Sequence, residues 1–376
     1  MENLKDTIPS LLHCPAFDFL LSLAIVFLAI STSTACQITT PQTPTPLPPL
    51  PTPPPFNVPG ERQLTDDPYL YESPVWSPDG EIIAIERNTD TELITGPYDQ
   101  DWAIVLINVI SGKMDVIDLG DGSINVDPTW SPDGSQLAFF SRNSEGDLKT
   151  STNKLTILTL ADYTWQQFEC KTCSDPFWLK DGSILVTLVL GPLTEDRVQI
   201  GIGWIDPITG EVISKTQIKG MQDVFALSPS GNEILMVGPY ASSPSGRVLL
   251  MGAESECSGI WRYDLDSEGP IPFIDSTNLH ECNPSWSWDG SKLAYTVKNP
   301  FSLDPTYLTI ADADGSNPQR IIEPMAAYYQ IRDSAWSPDG TKIALVYGLV
   351  GSGYTQLHDS NLFIIDVPEH LQPKSE

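Results

Sequence analysis

The residues of this chain that could do chemistry are few and widely spaced. Cys170 and Cys173 stand in a Cys-x-x-Cys arrangement, with Cys257 and Cys282 further on. A zinc site would need a second such pair, and redox work would need a thioredoxin-like setting; neither is present around these residues. Local structural bridges are the simpler reading, and of the three possible pairings we expect 170–173 with 257–282, in an oxidising compartment. His280 and His358 lack a third ligand. Asp312-Ala313-Asp314-Gly315-Ser316-Asn317 resembles a calcium loop but has no closing glutamate, and it falls where a strand-to-strand turn is required. The chain contains neither a Gly-x-Ser-x-Gly nucleophile elbow nor a Gly-rich phosphate loop. No catalytic residue, metal or cofactor is therefore expected.

The elements that would position any site are set by a repeat. Trp76-Ser77-Pro78-Asp79-Gly80 recurs intact at Trp130 to Gly134 and at Trp336 to Gly340. Trp286 to Gly290 differs at one residue, Trp178 to Gly182 keeps the ends, and Leu227 to Gly231 keeps the middle and the glycine. The six glycines recur at intervals of 48 to 59 residues, a period that belongs to propellers and solenoids. Ser-Pro-Asp-Gly is a turn sequence: Pro presets φ, and Gly accepts the left-handed conformation that closes a hairpin. The third residue past each glycine is aliphatic (Ile83, Leu137, Leu185, Ile234, Leu293, Ile343), and the fourth is Ala in four copies. Third strands are expected near Trp102–Val109, Lys154–Leu160, Gln199–Asp206, Gly259–Leu265, Tyr307–Ala311 and Asn361–Val367. No segment beyond residue 36 has a helical period. Six four-stranded units without helices predict an all-β fold, a six-bladed β-propeller over residues 61–376.

The ends of that span fit one another. The last unit runs out after its third strand, while Glu61 to Thr65 precedes the first unit as a strand without one. Residues 61–65 are expected as the outer strand of the last blade, closing the ring and covering an edge.

Pro-x-Trp-Ser-Pro-Asp-Gly followed by Ile/Leu-Ala, with Asp206, Asp264, Asp312 and Asp366 at third-strand ends, resembles the WD40-like (PD40) repeat of TolB-like propellers. The resemblance covers essentially all of residues 61–376. It implies an extracytoplasmic propeller that binds other proteins, and it supplies no catalytic residues.

Charge narrows the partners. The chain holds 20 basic and 49 acidic residues, a formal charge of -29, which repels nucleic acid and anionic headgroups. Phe19 to Ile30 is uncharged, too short to span a bilayer comfortably, and of signal-peptide length. Ser31-Thr32-Ser33-Thr34-Ala35-Cys36 follows and resembles a bacterial lipobox, which implies lipidation at Cys36; a signal peptide cut elsewhere and an uncleaved anchor are the alternatives. Residues 37–60 hold ten prolines and no charge up to Gly60, the composition of a stiff spacer. Residues 1–36 are thus read as signal peptide or anchor and 37–60 as linker. The protein is expected to be exported and held to the outer leaflet of a bacterial membrane, as a monomeric propeller.

If strands run from inner to outer, the Ser-Pro-Asp-Gly turns lie on one face and the long insertions on the other. That second face would collect Tyr69, Tyr71, Tyr98, Tyr240, Tyr328, Tyr329 and Tyr354, with Asp90, Glu92, Asp99 and Asp101 nearby. Tyrosine is common at interfaces because it offers rigid area with a polar tip. The expected function is binding of an envelope protein or polymer on this face. A propeller lyase or hydrolase acting on polysaccharide is the alternative, and it would require titratable groups that converge.

Overall fold

The structure is a computed structural model, and it describes residues 56, 58–88, 102–143, 153–170, 172–189, 200–218, 223–228, 233–237, 259–264, 271–274, 280–298, 306–322, 329–349 and 360–374. Strand β1 is Arg62–Gln63. The first sheet then takes Tyr71–Trp76 (β2), Ile82–Asn88 (β3), Trp102–Asn108 (β4) and Met114–Ile117 (β5). The second takes Ser123–Trp130 (β6), Gln136–Asn143 (β7), Lys154–Thr159 (β8) and Thr164–Glu169 (β9). The third takes Cys173–Trp178 (β10), Ile184–Val189 (β11), Ile200–Ile205 (β12) and Val212–Ile218 (β13). The fourth is Asp223–Leu227 (β14), Glu233–Val237 (β15), Ile260–Asp264 (β16) and Ile271–Ile274 (β17). The fifth is His280–Trp286 (β18), Lys292–Lys298 (β19), Tyr307–Asp312 (β20) and Gln319–Ile322 (β21). The sixth joins Tyr329–Trp336 (β22), Lys342–Leu349 (β23) and Ser360–Asp366 (β24) to β1.

Every sheet is antiparallel, the first five as simple meanders and the sixth with β1 from the other end of the chain as its outer strand, and the first strands of successive sheets adjoin one another. The fold is an all-β propeller with four-stranded blades, whose first strands face the centre. The third strands match the repeat reading to within two residues at either end. In the N-terminal strand Arg62 and Gln63 pair with Ile364 and Phe363, and the backbone attachment runs further, from the Leu64 N–H to the Leu362 carbonyl at 2.8 Å and from the Asp366 N–H to the Pro59 carbonyl at 2.9 Å. Thr65 continues the attachment through its side chain, accepting from the Leu362 N–H at 2.9 Å.

The core lies between sheets rather than at one centre, as the period of a strand dictates. Ile83 and Ile85 pack against Ala344, Val346, Leu362 and Ile364 of the sixth sheet. Ala84 between them turns the other way, toward Trp130, Leu137 and Phe139 of the second. The aliphatic residue and the alanine of each repeat thus face opposite neighbours, with the small side chain where the next sheet comes close. Two of the motif tryptophans tie sheets together as well. Trp76 Nε1–H donates to the Ala335 carbonyl at 3.0 Å, and Trp130 Nε1–H donates to the Val75 carbonyl at 3.2 Å.

The Asp of each turn is a geometric device. Ser131 Oγ donates to Asp133 Oδ1 at 2.7 Å, the Ser135 N–H donates to the same oxygen at 3.0 Å, and Gly134 follows at φ 71°. Asp79, Asp181, Asp289 and Asp339 accept the equivalent amide two residues on. The 312–317 stretch is likewise a turn. Asn317 Nδ2–H donates to Asp312 Oδ2 at 2.7 Å, and the Ser316 N–H donates to Asp314 Oδ1 at 2.9 Å.

One helical element was not anticipated, a 3-10 turn at Glu369–Leu371 that buries Leu371 against the sixth sheet. Phe56 joins the same core, with its ring edge-on to Tyr347 and Phe363 at 4.5 and 5.2 Å.

Candidate functional site in the channel wall

The inner strands carry a second repeat, overlapping the turn motif. Three residues before each motif tryptophan stand Ser73, Asp127, Asp175, Asn283 and Asp333. The first four have φ between 48° and 58° and are each followed by proline. Asp and Asn tolerate this left-handed conformation, and a following proline has no N–H to lose from the ladder, so the pair builds a β-bulge cheaply. The strand registers shift at these points, between Glu72 and Val75, Val126 and Thr129, Ser174 and Phe177, and Cys282 and Ser285.

The bulges aim backbone amides and acidic side chains across the gaps between sheets. The Ser73 N–H donates to Asp333 Oδ2 of the sixth sheet at 3.2 Å. The Asp127 N–H donates to Glu86 Oε1 of the first sheet at 2.8 Å. The Asp175 N–H of the third sheet donates to the Asp127 carboxylate. Each carboxylate thus serves the bulge amide of the next sheet, in one direction around the wall. Across the seam between sixth and first sheets, Arg332 Nη1 also meets Glu72 Oε1 at 2.6 Å. Asn283 Nδ2–H donates to the Arg332 carbonyl.

Glu86 lies directly opposite Glu72 in the β2–β3 register, on the same face of the sheet, and is 5% exposed. Burial pushes its carboxyl well above the usual range, and the Asp127 and Glu72 charges push the same way. Asp127 and Asp333 are half-buried on the inner strands. Enclosure raises both carboxyls, against a lowering pull from the Asp175 and Ser73 amides respectively. Strand β2 starts at the long-loop end of the first sheet and finishes at its Ser-Pro-Asp-Gly turn. Glu72 and Glu86 therefore lie in the half of the channel nearer the long loops.

The residues singled out from sequence are placed differently. Tyr71 does not belong to any binding surface: its side chain is 0% exposed in the core between first and sixth sheets, with its hydroxyl 3.0 Å from Asp67 Oδ2. It starts a strand whose alternate residues point inward, and burial raises its phenol. Tyr69 is half-buried beneath the Arg87 guanidinium, 4.7 Å from the ring centroid. Tyr329 begins β22. Tyr98, Tyr240, Tyr328, Tyr354, Cys36, Cys257, His358 and the acidic residues at 90, 92, 99 and 101 lie outside the described residues. His280 begins β18.

Cys170 and Cys173 form a disulfide in the crossover from second to third sheet. Cys282 is also disulfide-bonded, to a cysteine outside the described residues. Exposed apolar side chains stand on the turn side instead: Ile110, Tyr163 and Ile208 occupy corresponding third-to-fourth strand turns of the first three sheets. Among the described residues, no group of three or more His, Cys, Asp or Glu is arranged to hold a metal ion. No described helix is long and apolar enough to cross a membrane.

Fold and site together define an all-β propeller protein with a carboxylate-lined inner wall. No protein-family model matches the chain, and no curated protein does. Solved propellers are similar at low identity. An acylaminoacyl peptidase in complex with a chloromethyl ketone superposes with TM-score 0.49 and 13% identity, over 79% of this chain and 52% of its own. TolB from Acinetobacter baumannii gives TM-score 0.48 and 15% identity, over 72% of this chain and 62% of its own. An oligogalacturonate lyase in complex with manganese gives 0.48 and 13%, over 83% and 94%. This chain thus spans about half the length of the peptidase. Likeness at this level does not carry over what those proteins bind or do.

Proposed function

We propose that this protein is a membrane-tethered, extracytoplasmic binding module, a closed six-bladed propeller that docks an envelope protein or polymer on its long-loop face. The observation that carries this reading is how the wall carboxylates are used. Glu86, Asp127 and Asp333 accept hydrogen bonds from backbone amides of neighbouring sheets, an arrangement that builds a rigid platform. Closure of the ring is supported by β1 completing the sixth sheet and by the first sheet packing against it. Anchoring is supported by the apolar run ending at Cys36 and the proline-rich segment after it. A second disulfide, Cys257–Cys282, completes the reading.

Affinity capture from envelope extracts with residues 50–376 as bait tests the module. A specific protein or polymer retained at the long-loop face supports it; no retained partner together with glycan turnover overturns it. Fatty-acid labelling of wild type and Cys36→Ala tests the anchor, and label unaffected by the substitution refutes lipidation there.

A second reading, an enzyme acting on polysaccharide, is favoured by one observation. Glu72, Glu86 and Asp127 meet in the wall, and burial pushes the Glu86 and Asp127 carboxyls upward, the raw material of acid–base chemistry.

A further inference from the structure

Glu86 is a buried charged side chain of the wall that is set among donors and other carboxylates, not beside a cation. Glu72, opposite it on β2, is held by Arg332 of β22 at 2.6 Å. Asp127 of β6 feels Arg142 on β7. Asp333 of β22 is next to Arg332, which draws its charge. Arg87, the neighbour of Glu86 on β3, points to the other face of the sheet and lies over Tyr69. What Glu86 does touch is a set of donors and anions: the Asp127 N–H, the Ser73 hydroxyl, and the Glu72 and Asp127 carboxylates. Asp175 of β10 is linked to this set through Asp127. Three ionised carboxyls with so little water between them would repel strongly, and one that is only 5% exposed would also lose its hydration.

We propose that Glu86 holds a proton at neutral pH, and that losing it on alkalinisation loosens the joint between the first and second sheets. A protonated Glu86 still accepts the Asp127 N–H through its carbonyl oxygen while removing the third negative charge. Ionisation keeps the acceptor but adds the repulsion, so the joint is set by pH rather than by a change of contacts. The direction of linkage follows. A carboxyl raised in the folded state binds its proton on folding, so its favourable contribution is complete below about pH 4, where the unfolded chain is protonated too. That contribution is lost progressively as the pH climbs toward the folded value.

The test is thermal unfolding of the full chain between pH 5 and 9, wild type against Glu86→Gln. Glutamine imitates the protonated acid. At pH 8 the Gln variant is expected to unfold at a higher midpoint than wild type, and the gap should narrow as the pH falls toward 5. Its midpoint should also fall less steeply with pH than wild type's; the residual slope belongs to Asp127 and Asp333. Parallel curves for the two proteins overturn the proposal. Infrared spectroscopy supplies a readout that packing alone would not move. Wild type at pH 7 should show a protonated-carboxyl band that is missing in Glu86→Gln, and an identical spectrum overturns the proposal. If the variant does not fold, wild type decides: a midpoint unchanged from pH 6 to 9 refutes it.

Discussion

Ser360 closes a two-way bond with Tyr71 across the seam between sixth and first sheets. Its hydroxyl accepts from the Tyr71 N–H at 2.8 Å and donates to the Tyr71 carbonyl at 2.9 Å, joining residues 289 apart in the chain. Ser360 is 0% exposed, so water cannot replace it. Ser360→Ala should leave a buried amide unsatisfied and lower stability by about 1–3 kcal/mol. Denaturant unfolding measures this directly, and a midpoint equal to wild type would show the bond to be dispensable.

The same seam depends on the chain before Leu70. β1 covers the outer edge of β24, and Thr65 satisfies both the Leu362 N–H and, as donor at 3.1 Å, Asn361 Oδ1. Removing residues 61–66 exposes that edge and strips these partners together. We expect a sharply lower melting temperature and a tendency to associate through the open edge. An unchanged melting curve with monomeric elution would count against closure by this strand.

The turn carboxylates make stability depend on pH in the opposite sense to Glu86. Hydrogen bonds from Ser131 and Ser135 lower the Asp133 carboxyl to about 2. A depressed carboxyl contributes fully above its unfolded value near 4 and loses that contribution as the pH falls toward the folded value. Asp133→Ala should therefore lower the melting temperature at pH 7 and lower it much less at pH 2, where the folded carboxyl is itself about half protonated. Melting curves at both pH values check this; a constant offset would assign the effect to something other than the charge.

The disulfides can be read by mass. Alkylation of the denatured, unreduced protein should leave Cys170, Cys173 and Cys282 unmodified, and all three should label after reduction. Peptide mapping should join Cys282 to Cys257. Because the 170–173 loop is so short, opening it should cost no more than about 2 kcal/mol. Free thiols at these positions in the unreduced protein would remove the bridges.

Much of the fold was legible because its punctuation is chemical. Trp-Ser-Pro-Asp-Gly can only be a tight turn, and one turn per sheet numbers the sheets. The alternation of Ile83, Ala84 and Ile85 then states which side each strand buries. The stray strand before the first unit found its partner by counting. The channel wall was missed for a geometric reason. Residues 72, 86, 127, 175 and 333 are far apart in the chain and meet only once the sheets are arranged about a centre. The signal existed, an acidic or small polar residue three before each tryptophan, but it sits just outside the turn motif. Tyr71 misled for the converse reason: placed by its loop, it reads as surface, while its place on β2 turns it inward.

Phe56 gains a mechanical meaning from its position. Tension on the chain upstream would reach the propeller at this ring, wedged between Tyr347 and Phe363, before it reached the two paired residues of β1. An aromatic plug in the sixth sheet's core would bear the load, leaving the short strand that completes that sheet sheltered from the pull.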